Sequence, residues 1–374
     1  MKIFFDLLRP KYLFFGAIGI GVIICLANFL SSPAIPTEFL PNPLNGSSVA
    51  FSINNKGKIA GGMSADGEQI AFRWSEQDGF TQLPSGKNIL FAAATAINEQ
   101  GHLVGPRPCD KTAAHAALWT ASEDWIHLGT LGGTYIHPCS INEQGQIVGW
   151  GKTANREIQA FFWSREKGFV MLGSLGGKEN KALGINNKCQ VVGYVSSETG
   201  EQRALVWDKE AGFIDLGSLG THIQVAAAIN DAGQIAGETL TPIGDTHAFI
   251  WSKNDGLIDL GTLGGRHSTV TAINSKGQVV GFSETSNGAT HAFFWSQETG
   301  MLDLGAPDGR SSRANDLNDH GQIVGYIEVR PPWWVRAWNF VSEKGRLPRV
   351  CRPSEDLTAY HTQAVCWTIS PSEE

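Results

Sequence analysis

Val270-Thr271-Ala272-Ile273-Asn274-Ser275-Lys276-Gly277-Gln278-Val279-Val280-Gly281 decides the fold, because its frame recurs along the chain. An apolar run entering an Asn, then x-x-Gly, then a second apolar run reads as two strands around a tight turn. The Asn bonds its own backbone, and the Gly takes the left-handed conformation that a bulged turn requires. The frame (Ile/Leu)-Asn-x-x-Gly-x-(Ile/Val/Leu)-(Val/Ala)-Gly returns with its Asn at Asn54, Asn98, Asn142, Asn186, Asn230, Asn274 and Asn318. Every interval equals 98 − 54 = 44 residues. Cys189 replaces the turn Gly in the fourth copy, where a left-handed side chain costs about 1 kcal/mol.

Two further landmarks keep the same register. Ala-x-x-Trp ends at Trp119, Trp163, Trp207, Trp251 and Trp295, each 21 residues after its Asn, as in 119 − 98. The first copy is one residue shorter and ends at Trp74; in the seventh, Ala337-Trp338-Asn339-Phe340 puts Phe340 in the Trp place. Asp-Leu-Gly-(Thr/Ser)-Leu-Gly-Gly closes the unit, best preserved at Asp259 to Gly265. The unit thus reads as four strands, the third exemplified by His291 to Trp295 and the fourth by Met301 to Leu304.

Four short antiparallel strands per repeat predict an all-β fold, a β-propeller of seven four-stranded blades of 44 residues. A closed ring leaves no sheet edge for an open stack to cap. Glu38-Phe39-Leu40 stands where a fourth strand would precede the first unit. Arg346 to Val350 is the candidate fourth strand of the seventh. Leu357 to Ile369 reads as a degenerate first-and-second-strand hairpin with Ala364-Val365-Cys366-Trp367 as its second strand, so an eight-bladed or partly closed variant stays open.

Residues 1–32 read as a targeting segment, 33–350 as the propeller and 351–374 as a closing tail. Lys2, Arg9 and Lys11 precede an uncharged run from Tyr12 to Leu30, 30 − 12 + 1 = 19 residues, expected to be an apolar helix. That length leaves a cleaved signal peptide and a retained transmembrane anchor both open. Either exports the rest to the periplasm, cell surface or exterior, with the membrane engaged only through this segment. Cys109, Cys139, Cys189, Cys351 and Cys366 follow it. Cys351 and Cys366 form the first candidate disulfide, Cys109 and Cys139 a second; one thiol is left over.

His-Ala-Phe-x-Trp, Asp-Leu-Gly-Thr-Leu-Gly-Gly and Ile-Asn-x-x-Gly-Gln-Val-Val-Gly resemble the bacterial HAF-repeat family of extracellular repeat proteins. The resemblance covers roughly Glu38 to Val350, although His-Ala-Phe itself is intact only at His247 and His291. It implies export and repeats, and carries no catalytic activity.

The net charge of −7 argues against nucleic-acid binding, which needs a clustered basic surface. The repeated Trp read as packing between blades, and each Asn as a turn former. Asp215, Asp259 and Asp303 read as structural or solvated carboxylates; His115, His247 and His291 sit on separate blades and give no metal site. No cofactor motif is present, and a monomer is expected. Variation concentrates in the loops between strands two and three and in the links between units, all on one face, where binding usually resides. There Pro331 and Pro332 stiffen the approach to Trp333 and Trp334, flanked by Arg330 and Arg336, which makes these four the candidate ligand site. The function expected is non-catalytic binding of an extracellular glycan, peptide or protein; the alternatives are an enzyme acting on a polysaccharide or other polymer, and a structural surface protein.

Overall fold

The computed structural model describes residues 35–43, 46–65, 68–84, 92–108, 113–121, 124–173, 179–198, 201–208, 212–216, 223–306, 310–329 and 361–369. The chain divides into two units, Met1–Pro36 and Thr37–Glu374. The expected N-terminal apolar helix falls outside the described residues, among which no helix is long and apolar enough to cross a membrane.

The second unit is all-β and built of four-stranded antiparallel sheets. The first sheet comprises Ser47–Ile53, Ile59–Ala65, Glu68–Ser75 and Gly79–Gln82. The second comprises Ala96–Ile97, Leu103–Pro108, Ala114–Trp119 and Trp125–Gly129. Gly132–Ile141, Ile147–Thr153, Ile158–Ser164 and Gly168–Met171 make the third; Glu179–Ile185, Val191–Ser196, Gln202–Asp208 and Gly212–Asp215 make the fourth. A single parallel pairing, Ile158 with Glu179, joins these two. The fifth is Ile223–Ile229, Ile235–Leu240, Thr246–Ser252 and Gly256–Gly261. The sixth is Gly264–Ile273, Val279–Thr285, Thr290–Ser296 and Gly300–Gly305. The seventh takes Ser312–Leu317 and Gln322–Val329 from the last repeat, then His361–Thr368, and finally Thr37–Phe39 from the other end of the chain.

That last sheet corrects the reading of the C-terminus. Residues His361–Thr368 form one strand, paired along its length with Gln322–Val329, and not a hairpin of an eighth unit. Trp367 lies opposite Ile323 just as Trp295 lies opposite Val279, so Ala364-x-x-Trp367 takes the place of the seventh Ala-x-x-Trp; Phe340 lies outside the described residues. The fourth strand among the described residues is Thr37–Phe39, where Glu38-Phe39-Leu40 was expected; Arg346 to Val350 lies outside them. The motif escaped notice because 367 − 318 = 49 residues separate it from its Asn instead of 21.

Each turn Asn has two tasks. The Oδ1 of Asn186 accepts the backbone N–H groups of Lys188 and Gln190 at 3.0 and 2.9 Å, which shapes the hairpin. Its Nδ2 donates to the carbonyl of Asn230, the turn of the next sheet, at 3.1 Å. The same donation runs from Asn54 to Asn98, Asn98 to Asn142, Asn142 to Asn186, Asn230 to Asn274, Asn274 to Asn318, and from Asn318 back to Asn54. The sheets are thereby joined in a closed cycle. Cys189 holds the left-handed conformation at φ 63°, as expected for its position.

The Gly that ends each second-strand motif is fixed by sterics. A Cβ on Gly281 would lie 1.9 Å from the carbonyl oxygen of Thr269 and 2.9 Å from the ring of Phe293. The Trp residues pack between sheets as expected: Trp119 is fully buried with Ala60, Ala71 and Leu83 of the first repeat. Trp74 packs against a buried cluster that joins Ala50, Ile53 and Ile59 of the first sheet to Val324, Ala364 and Cys366 of the seventh.

That join has polar contacts as well. The N–H of Ala364 donates to Ser48 Oγ at 3.0 Å, repeating the bond of Ala292 to Ser312. Asp316 accepts from the Ser52 hydroxyl at 2.7 Å and from the Ile53 N–H at 3.0 Å. Burial pushes the Asp316 carboxyl up to about 6, against the lowering effect of these bonds and of the Leu317 N–H.

Two outcomes are expected. Asn230→Ala strands two turn N–H groups and a carbonyl and should cost about 2–4 kcal/mol in denaturant unfolding; a loss below 1 kcal/mol would show that the cycle is not essential. Between about pH 4 and 6 the folded chain keeps a proton on Asp316 that the unfolded chain releases. This group therefore favours folding at low pH, and that contribution is lost as pH rises through about 6. The stability gap between wild type and Asp316→Ala should narrow from pH 4 to 7; a widening gap would contradict the assignment.

Candidate functional site

Each sheet has two ends. One carries the Asn turns and the turns between strands three and four; the other carries the longer loops between strands two and three and the links between sheets. At the turn end, the residue after the Asn accepts from the preceding turn in every repeat but the sixth, as when Asn55 N–H donates to Glu99 Oε1 at 2.7 Å and Ser275 N–H to Asp319 Oδ1 at 3.0 Å. A polar cleft of about 280 Å³ opens there between the fifth and sixth sheets, with Trp295 and Gln278 in its lining and Asp255, Lys276 and Glu298 at its sides. Among the described residues, no group of three or more His, Cys, Asp or Glu is placed to hold a metal ion.

The loop end explains the His-Ala-Phe motif. His247 Nδ1 pairs with Asp259 and His291 Nδ1 with Asp303, each at 2.9 Å. Asp259 also accepts the Gly261 N–H at 2.8 Å, and Asp303 that of Gly305 at 2.7 Å. The His of one motif and the Asp of the other are thus a single strand-three to strand-four clasp. In the second repeat His127 stands where the Asp would be, and His115 hydrogen-bonds it.

Nearer the first strands, aromatic and cationic side chains accumulate. His137 and Trp150 face each other across strands one and two of the third sheet, their rings parallel with centroids 5.5 Å apart. Tyr135 lies 5.5 Å from Trp150 on a tilted plane. Lys181, on the first strand of the fourth sheet, sets its Nζ 4.5 Å from the Trp150 ring centre and 5.5 Å from that of Tyr194, its cross-strand neighbour. All five side chains are half-buried. Such cation–ring contacts contribute about 0.5–2 kcal/mol. Burial, with the positive charge of Lys181 acting the same way, holds His137 below the ordinary imidazole value, against backbone hydrogen bonds at Pro138 and His137. Behind them, burial pushes the Cys139 thiol up to about 12, while the Lys181 charge and Trp150 pull it down.

A second group has the same build. Arg313 Cζ lies 4.2 Å from the Phe282 ring centre, and Tyr326 is its cross-strand neighbour.

Trp333, Trp334, Arg330 and Arg336, with Cys351, belong to the segment between strands two and three of the seventh sheet and lie outside the described residues. Cys109 does too. Cys366 is a free, buried thiol in the third strand, pushed up to about 11 by burial. Sequence reasoning passed over the Trp150, Lys181 and Tyr194 group. Its available signal was the position after the second-strand Gly, held by Gly62 and Pro106 in the first two repeats but by Trp150 and Tyr194 in the next two.

No protein-family model matches the chain and no curated protein does, so the resemblance to the HAF-repeat family stands on its motifs alone. Solved structures similar to it are β-propeller proteins. Virginiamycin B lyase from Staphylococcus aureus is 9% identical, with 78% of this chain and 94% of that one covered and a TM-score of 0.48. TolB from Acinetobacter baumannii is 12% identical, covering 79% and 72%, at 0.47. Aleuria aurantia lectin in complex with Fucalpha1-6GlcNAc is 12% identical, covering 73% and 100%, at 0.40. At these identities and scores the likenesses say nothing of what the chain binds or does.

Removing the Lys181 charge should raise the His137 pKa toward the usual imidazole range, because a nearby cation disfavours protonation. An NMR titration of Lys181→Met reads this directly; an unchanged value would mean that the charge is already neutralised.

Proposed function

We propose that the chain is an exported, closed seven-bladed β-propeller that acts as a non-catalytic binding module, recognising an extracellular glycan, peptide or protein on its loop-bearing face. The Asn cycle supports the closed ring, and the basic-then-apolar start supports export. One observation carries the binding reading: Tyr135, His137, Trp150, Lys181 and Tyr194 form a continuous half-buried run at the loop end, spanning two sheets. Rings with polar edges beside a cation, on a rigid scaffold, offer a ligand apolar contact and directional bonds at little ordering cost. The His–Asp clasps recur in consecutive sheets and tie strands together, which favours scaffold over acid–base chemistry.

The full-length chain should retain a ligand from glycan and peptide arrays and release it chemically unchanged. Tyr194→Ala and Trp150→Ala should each weaken that binding by roughly 2 kcal/mol, with circular dichroism unaltered. Turnover of the ligand, or affinity unchanged in both variants, would defeat the reading. A reporter fused after residue 40 should be active only in an exported compartment.

A further inference from the structure

The two cation–ring groups stand three repeats apart in strict register. Lys181 and Arg313, Trp150 and Phe282, and Tyr194 and Tyr326 are each separated by 132 residues, or 3 × 44. In both, the cation leaves its own sheet to lie over the ring of the preceding one, with an aromatic residue opposite it across the strands. The scaffold does not demand a charge at this position: the other repeats hold Val49, Ala93, His137, Val225 and Thr269 there. Among the described residues, neither Lys181 nor Arg313 has a carboxylate within ion-pair distance. The pKa values of His137 and Cys139 both respond to the Lys181 charge, and that of Tyr326 to the Arg313 charge. Each group is a positive charge set among rings at the loop end; Glu328, whose charge also acts on Tyr326, makes no ion pair with Arg313.

The geometry points to an acidic polysaccharide, bound with the carboxylate of one uronate unit at Lys181 and that of another at Arg313. This rests on the binding-module reading and names its ligand class. A uronate fixes a carboxylate to a sugar ring whose C–H face is apolar, so one unit can meet both cation and aromatic edge. An acidic peptide carries its carboxylates on flexible stems with no flat face. Two equivalent stations within one closed cycle suit a polymer that repeats its charge, because the second contact is then intramolecular.

The test titrates the full-length chain with a polygalacturonate oligomer, its methyl-esterified counterpart and neutral dextran. The free acid should bind, more weakly as salt is raised, and the ester at least about tenfold more weakly. Lys181→Met and Arg313→Met should each lose at least about tenfold, because either one ends the bivalent contact, and the double variant about a hundredfold or more. Lys181→Arg should restore binding, which a purely packing role would not require. No binding of the free acid, equal binding of acid and ester, or a folded double variant with wild-type affinity would overturn the inference. If the arrays instead return a neutral glycan or a peptide that needs Trp150 and Tyr194 but neither cation, this inference falls while the binding-module reading stands. If no ligand depends on Tyr194 or Trp150, both fall.

Discussion

One side-chain amide, repeated, holds the structure together. Each turn Asn satisfies its own hairpin with its oxygen and spends its nitrogen on the next sheet. A buried amide left unpaired costs about 1–3 kcal/mol, so both halves must be satisfied at once. That condition fixes the distance and angle between consecutive turns. Applied in one direction through every repeat, it returns to its start only if the sheets close on themselves, and the bond from Asn318 to Asn54 is that return.

The packing follows from this spacing. With the turns held together, the second strand runs too close to the first for a Cβ at the motif Gly, and the Phe of His-Ala-Phe uses the freed space. Phe249 and Phe293 are fully buried there. Each Trp then fills the gap to the sheet before it. Polar residues finish the interface, with Ser268 and Ser312 each taking the N–H of the preceding sheet's Ala and donating to its Gly carbonyl. The repeat unit is therefore one half of an interface as much as one sheet.

This explains what could be read in the sequence. Turn chemistry and strand alternation are local, so Asn274, Gly277 and the four-strand unit were legible, as was the left-handed strain at Cys189. Contacts between repeats were not. Asn was read as a turn former, while its second bond reaches 44 residues along the chain. His291 and Asp303 were weighed as separate motifs, although strand pairing makes them partners. Lys181 and Trp150 belong to different repeats, and nothing in either one's neighbourhood announces the other. The seventh Ala-x-x-Trp was legible as a motif at Ala364 to Trp367 but hidden by the long segment ahead of it.

The seventh sheet has a bearing on how the molecule is made. Thr37 pairs with Trp367, Glu38 with Cys366 and Phe39 with Val365, so a strand made before every turn motif waits for one made after them all. Contacts this distant in sequence form slowly, since the loop they close must be ordered first. During synthesis, six sheets can assemble in order while the seventh lacks its two outer strands, and the first sheet lacks the face that Trp367's strand will cover. Completion of the seventh sheet thus has to wait until His361–Thr368 has emerged. A chain truncated ahead of His361 would keep every turn motif and still present two unfinished faces to any surface that met it.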